Sequence, residues 1–153
     1  MTRLNAGDAV PAFTLTTDDG ETITNRSLKG QRYVLYFYPA DDTPGCTKEA
    51  CQFSELAAAF KKAAVTVIGV SPNGLDSHLA FRKKYGLKVM LASDPKKEAM
   101  TKFGAFGEKQ LYGKTVVGVI RSTFVIGTNG KIEHAFYGVR ADGHAAKVLA
   151  SLT

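Results

Sequence analysis

The sequence holds two cysteines, and both fall in the segment "DDTPGCTKEACQF", Asp41 to Phe53. Four residues separate Cys46 from Cys51, in a stretch whose Ala, Leu and Phe positions recur at helical spacing. A thiolate is a nucleophile, a metal ligand and a redox centre, so this pair is the first candidate for chemistry. On a continuous helix their Cα atoms stand about 8.6 Å apart, from a rise of about 1.5 Å and about 100° per residue at ~2.3 Å radius. A disulfide requires roughly 4.4–6.8 Å. Either the sulfurs never meet, or the helix opens between them.

The local context favours an activated thiol at Cys46. Thr43 suits the N-cap, and Pro44 suits the first helical position, where its missing N–H is not needed. Cys46 then lies in the first turn, where free backbone N–H groups and the helix dipole stabilise a thiolate. Two buried cysteines acting as small hydrophobes fit the spacing as well. A zinc site needs further ligands, and His78, His134 and His144 each fall in a separate element. No metal or other cofactor is therefore expected. Neither a G-x-S-x-G elbow nor a phosphate-binding glycine loop is present.

These residues need elements to hold them. "FTLTTDDGETITN" reads as an N-terminal β-hairpin around Asp19-Gly20, and "RYVLYFYP" (32–39) as a fully buried strand. The turn "ADDTPG" leads into a helix over 46–62, which places Cys46 at the carboxyl edge of that strand. A buried strand, "AVTVIGVS", follows, then a helix ending at Gly86, a short strand, "VMLASD", and a helix, "PKKEAMTKFG". "TVVGVIRSTFVIG" and "KIEHAFYG" flank Thr128-Asn129-Gly130 as a second hairpin, and "GHAAKVLASL" closes the chain as a helix. The order predicts an α/β fold, a central mixed β-sheet flanked by helices, as a single domain over 1–153.

Composition narrows the function classes. The formal charge of +6 is concentrated between Lys61 and Lys114, which holds 11 Lys and Arg against 4 Asp and Glu. Those lysines fall mostly on solvated helix faces, and neither zinc-finger spacing nor an aromatic-basic stretch accompanies them, so no nucleic-acid partner is expected. No apolar run approaches the ~18 residues that span a bilayer, which argues against a membrane partner. The opening residues lack a signal-peptide apolar region, and a cytoplasmic protein is expected. With no long exposed apolar edge in the pattern, a monomer is expected.

"YPADDTPGCTKEAC" resembles the active-site segment of peroxiredoxins, in particular the bacterioferritin comigratory protein or PrxQ group. It has Pro39, Thr43 and Cys46 in the family's spacing and a second cysteine five positions on. "RSTFVIGTNGKIEHAF", "GDAVPAFTL" and "GHAAKVLASL" extend the resemblance over nearly the whole chain. The resemblance implies a thioredoxin-like fold and thiol-dependent reduction of hydrogen peroxide and organic hydroperoxides. It makes Cys46 the peroxidatic cysteine and Cys51 the resolving one, joined in turn as an intramolecular disulfide. Thr43 and Arg121 then hold the thiolate and the peroxide. Pro39, Pro44 and Gly45 shape the pocket, and Glu49, one turn after Cys46, orients an arginine. Thioredoxin or a similar dithiol is the implied reductant. Tyr137 stands where some relatives carry tryptophan, and Ile120 precedes Arg121 where an acidic residue is often found.

Thiol activation alone cannot supply such a rate. At pH 7 a thiol of pKa ~8.5 is already about 3% ionised, so full ionisation gains roughly 30-fold, near 2 kcal/mol. Enzymes need ~10⁶-fold or more, and the remainder must come from positioning the O–O bond and stabilising the leaving oxygen. Arginine suits that task because it keeps its charge and offers a planar fork. Two rival classes stay open: a thiol–disulfide electron carrier, which would favour a C-x-x-C pair, and a redox-sensing binding module that oxidises once without turnover.

Overall fold

The structure is a computed structural model that describes residues 3–152. Strands β1 (Thr14–Thr17) and β2 (Thr22–Thr24) form the expected N-terminal hairpin, with Leu15 opposite Ile23. β3 (Arg32–Phe37) leads through a loop to α1 (Pro44–Glu55) and the short α2 (Ala57–Lys62). β4 (Val65–Ser71), α3 (Leu75–Tyr85), β5 (Met90–Ser93) and α4 (Glu98–Lys102) follow. The chain ends with β6 (Phe106–Leu111), β7 (Lys114–Val119), β8 (Ser122–Ile126), β9 (Ile132–Tyr137) and α5 (His144–Ala150).

Seven strands make one mixed sheet in the order β2-β1-β5-β4-β3-β8-β9. β3 runs parallel to β4 and antiparallel to β8, so the strand that delivers the cysteine segment lies inside the sheet. Its alternation assigns two cores. Tyr33, Leu35 and Phe37 face one side with Phe13, Met100, Phe103 and Phe124. Val34, Tyr36 and Tyr38 face the other, with Cys46, Ala50, Phe53, Phe81 and Val148 from the helices that cover it. Burial on both faces explains the continuous apolar run of β3. Gly69 of β4 sits beside Tyr36, and a Cβ there would come within 2.5 Å of the Tyr36 ring. The missing side chain makes room for that ring to stack on Phe53, 4.6 Å away.

The structure differs from the expected pattern in three places. The helix anticipated over 46–62 starts at Pro44 and breaks at Leu56, where ψ turns to 8°. "PKKEAMTKFG" is helical only over Glu98–Lys102, because Lys97 takes a left-handed conformation and its N–H bonds to the Asp94 carbonyl. The apolar run 115–127 is two strands. β7 pairs with β6 in a separate two-stranded sheet, turned by Tyr112 and Gly113, both at positive φ. β8 alone joins the central sheet, and the break falls at Ile120 and Arg121.

Candidate active site

α1 begins immediately after the turn that leaves β3. Thr43 occupies the N-cap position with extended backbone (ψ 155°) and Pro44 follows at the first helical position. The Thr43 hydroxyl does not cap the helix as expected; it donates to the Ala40 carbonyl at 2.9 Å. The Thr47 N–H makes the first turn's bond, to the Thr43 carbonyl, at 2.8 Å. The N–H groups of Gly45 and Cys46 therefore have no intrahelical acceptor and remain for an anion or a polar ligand.

Cys46 is buried, and Arg121 reaches its sulfur from the break between β7 and β8, with Nη2 3.3 Å from Sγ. The other terminal nitrogen, Nη1, donates to Glu49 Oε1 at 2.7 Å. Glu49 lies one helical turn beyond Cys46 and is completely buried, while Arg121 keeps an 18% exposed side chain. Burial raises the Glu49 carboxyl to about 7, although Arg121 pulls in the opposite direction. Burial also opposes the Arg121 charge, but Glu49 and Cys46 more than offset it and hold the guanidinium above its ordinary range. Glu49 Oε2 and the Tyr36 hydroxyl are buried without a protein hydrogen bond.

Gly45 packs closely under this arginine, and a Cβ at that position would stand 3.1 Å from Arg121 Nη2. Pro39 and Pro44 lie exposed at the two ends of the turn. The structure thus brings Cys46, Gly45, Glu49 and Arg121 together and leaves Thr43 at the preceding turn. Cys51 is on the same helix, half-buried, and both cysteines are free thiols. Burial and the nearby Glu55 push the Cys51 thiol up.

The sequence offered no signal for what holds the turn itself. Asp41 accepts from Tyr38, Ser77 and His78 at 2.6–2.7 Å, joining the turn to α3. The other histidines are placed apart: His144 is buried against Thr123 and His134 stacks on Phe136. Burial, with Lys147 and Arg121, lowers His144 to about 4. Among the described residues no three His, Cys, Asp or Glu side chains converge to hold a metal ion.

A buried thiol at a helix N-terminus, at the carboxyl edge of a central strand and touched by an arginine, defines a thiol-based redox site. The AhpC/TSA family profile matches residues 6–135. A Mycobacterium tuberculosis protein bearing a peroxiredoxin name is 49% identical over 99% of this chain and 97% of its own length. Peroxiredoxin Bcp of Escherichia coli K12 is 40% identical, covering 97% of this chain and 96% of that protein. The structure of the Xanthomonas campestris bacterioferritin comigratory protein superposes with a TM-score of 0.88 at 38% identity, covering 97% of each chain. The chain belongs to the AhpC/TSA family, within its Bcp or PrxQ peroxiredoxins, and has their thioredoxin-like fold. It is a thiol peroxidase.

Proposed function

We propose that the chain reduces hydrogen peroxide and organic hydroperoxides through Cys46, resolves the product with Cys51, and is recycled by thioredoxin or a similar dithiol protein. What supports this most is the Arg121 guanidinium, shared between Cys46 Sγ at 3.3 Å and the buried Glu49 carboxylate at 2.7 Å. The Cys46 thiolate attacks one peroxide oxygen; the S–O bond forms as the O–O bond breaks. The sulfur loses two electrons to the peroxide, and water or an alcohol leaves after taking up a proton. Arg121 stabilises negative charge as it moves from sulfur to the leaving oxygen, and the free Gly45 and Cys46 N–H groups supply further donors. The Thr43 hydroxyl, its proton engaged with Ala40, offers lone pairs to the peroxide O–H.

Resolution needs a change of shape. Both cysteines lie on α1, where a Cα separation of about 8.6 Å forbids a direct bond. The turns between them open, Cys51 gives up its proton and attacks the sulfenic sulfur as a thiolate, an S–S bond replaces the S–O bond, and the expelled hydroxide takes a proton and leaves as water. Closed-state burial keeps Cys51 from competing for peroxide, because its thiol is held in the protonated form. The related Xanthomonas campestris protein is described for its alkyl peroxide reduction activity, which supports organic hydroperoxides as substrates. We place the chain in the cytoplasm as a single-domain monomer.

The test is peroxide-dependent NADPH oxidation in the presence of thioredoxin and its reductase. Sustained turnover with wild type and none with Cys46→Ser is expected. An electron carrier would reduce protein disulfides without consuming peroxide, and a one-time sensor would stop after a single equivalent.

A further inference from the structure

The turn before Cys46 is tied down by a buried polar cluster that no step of the peroxide chemistry uses. His78 on α3 is wholly buried, and its two ring nitrogens face acceptors: Nδ1 lies 2.7 Å from Asp41 Oδ2, and Nε2 lies 2.9 Å from the Ala92 carbonyl. A carbonyl only accepts, so Nε2 donates to Ala92, which turns Nδ1 toward the Asp41 carboxylate. Asp41 Oδ2 also accepts from Ser77 at 2.7 Å, and Oδ1 accepts from Tyr38, at the end of β3, at 2.6 Å. The Asp41 N–H donates to Asn73 Oδ1 at 2.7 Å. One aspartate thereby joins β3, the β4–α3 connection, α3 and, through His78, β5. Burial opposes its charge, but His78, Tyr38 and Ser77 together hold its carboxyl below the usual range.

A buried polar cluster of this kind stabilises a fold weakly, because desolvating its members offsets most of the attraction. What it supplies is a fixed geometry, and here that geometry belongs to the active-site turn. Ala40, next to Asp41, accepts the Thr43 hydroxyl proton. Asp42, held at φ 58°, is bound by Lys84 and Tyr85 of α3. Thr43 then leads directly into Pro44, Gly45 and Cys46. We propose that the His78–Asp41 pair is a positioning device for the peroxide pocket. It sets where the Thr43 hydroxyl and the free N–H groups of Gly45 and Cys46 stand, and it touches neither the sulfur nor the substrate. The proposal rests on Cys46 as the peroxide-reducing thiol.

Two reagents separate positioning from thiol activation. Iodoacetamide needs only an accessible Cys46 thiolate, whereas peroxide also needs the assembled pocket. In His78→Leu, kcat/KM for hydrogen peroxide should fall at least tenfold while alkylation of Cys46 stays within about threefold of wild type. His78→Asn, whose amide nitrogen can take the place of Nδ1 and donate to Asp41, should recover most of the loss. Should His78→Leu fail to fold, Asp41→Ala, which removes the carboxylate that Tyr38, Ser77 and His78 share, carries the same test with the same expected split. Peroxide efficiency unchanged in the folded variant overturns the proposal, as do equal losses with both reagents or an Asn variant no better than Leu. The wild-type peroxide rate in the same runs reads the peroxidase proposal, and the ratio between reagents reads the positioning device.

Discussion

Replacing Gly45 by alanine should slow the reaction of Cys46 with peroxide. Gly45 is the second residue of α1 and its φ is not in the left-handed region, so the backbone itself tolerates alanine. The new Cβ, however, stands 3.1 Å from Arg121 Nη2, whereas comfortable contacts begin near 3.5 Å. The guanidinium must retreat by roughly 0.4 Å, and it has little freedom to do so. Nη1 is pinned to Glu49 at 2.7 Å, so the shift falls on the 3.3 Å contact to Cys46 Sγ. Losing a preorganised donor altogether slows comparable reactions by ~10²–10³, so a partial displacement should slow Cys46 oxidation about tenfold. Stopped-flow measurement of the first peroxide turnover gives the rate, and urea midpoints give the stability. A folded Gly45→Ala protein that reacts with peroxide at the wild-type rate would refute the role assigned to Arg121.

Arg121→Lys keeps the charge but can no longer reach Glu49 and Cys46 with two nitrogens of one plane, so peroxide kcat/KM should drop at least tenfold, measured with the coupled thioredoxin assay. Glu49→Gln should change how stability depends on pH. Native Glu49 binds its proton more tightly than the unfolded chain, so the stability it contributes is complete below pH 4.5 and is lost as pH rises to about 7. That window corresponds to a loss of about 3 kcal/mol, which glutamine cannot show; urea midpoints at pH 4 to 7.5 for both proteins check it. Gly69→Ala places a Cβ against the Tyr36 ring and should destabilise by about 1–3 kcal/mol in the same urea assay.

Periodicity revealed the elements whose burial is uniform. β3 and β4 are mostly apolar and buried along nearly their whole length because both faces of the sheet are covered, and the Asn129-Gly130 turn marked the β8–β9 hairpin. The break at Ile120–Arg121 was illegible for the opposite reason. "TVVGVIRSTFVIG" reads as one strand, and only the tertiary pairing of β7 with β6 divides it. The turn of that hairpin uses Tyr112 at positive φ, a position that glycine, asparagine or aspartate would have announced. Within the site, Cys46, Thr43 and Pro44 were local signals, whereas Glu49 and Arg121 came from the family resemblance. The Asp41–His78 contact joins residues 37 apart in a buried cluster, and no short-range pattern encodes it.

The proposed cycle depends most on two thiols that begin apart on one helix and end bonded. One equivalent of hydrogen peroxide added to reduced protein, followed by peptide mapping and amide hydrogen exchange, examines both halves of that claim. The expected result is a Cys46–Cys51 disulfide within one chain, with exchange rising over residues 46–51 and staying nearly constant in β3 and β4. In Cys51→Ser the sulfenic acid should form on Cys46 without the rise in exchange. A wild-type Cys46 sulfenic acid that persists beside a free Cys51 thiol, or a disulfide that forms with helix protection unchanged, would contradict it.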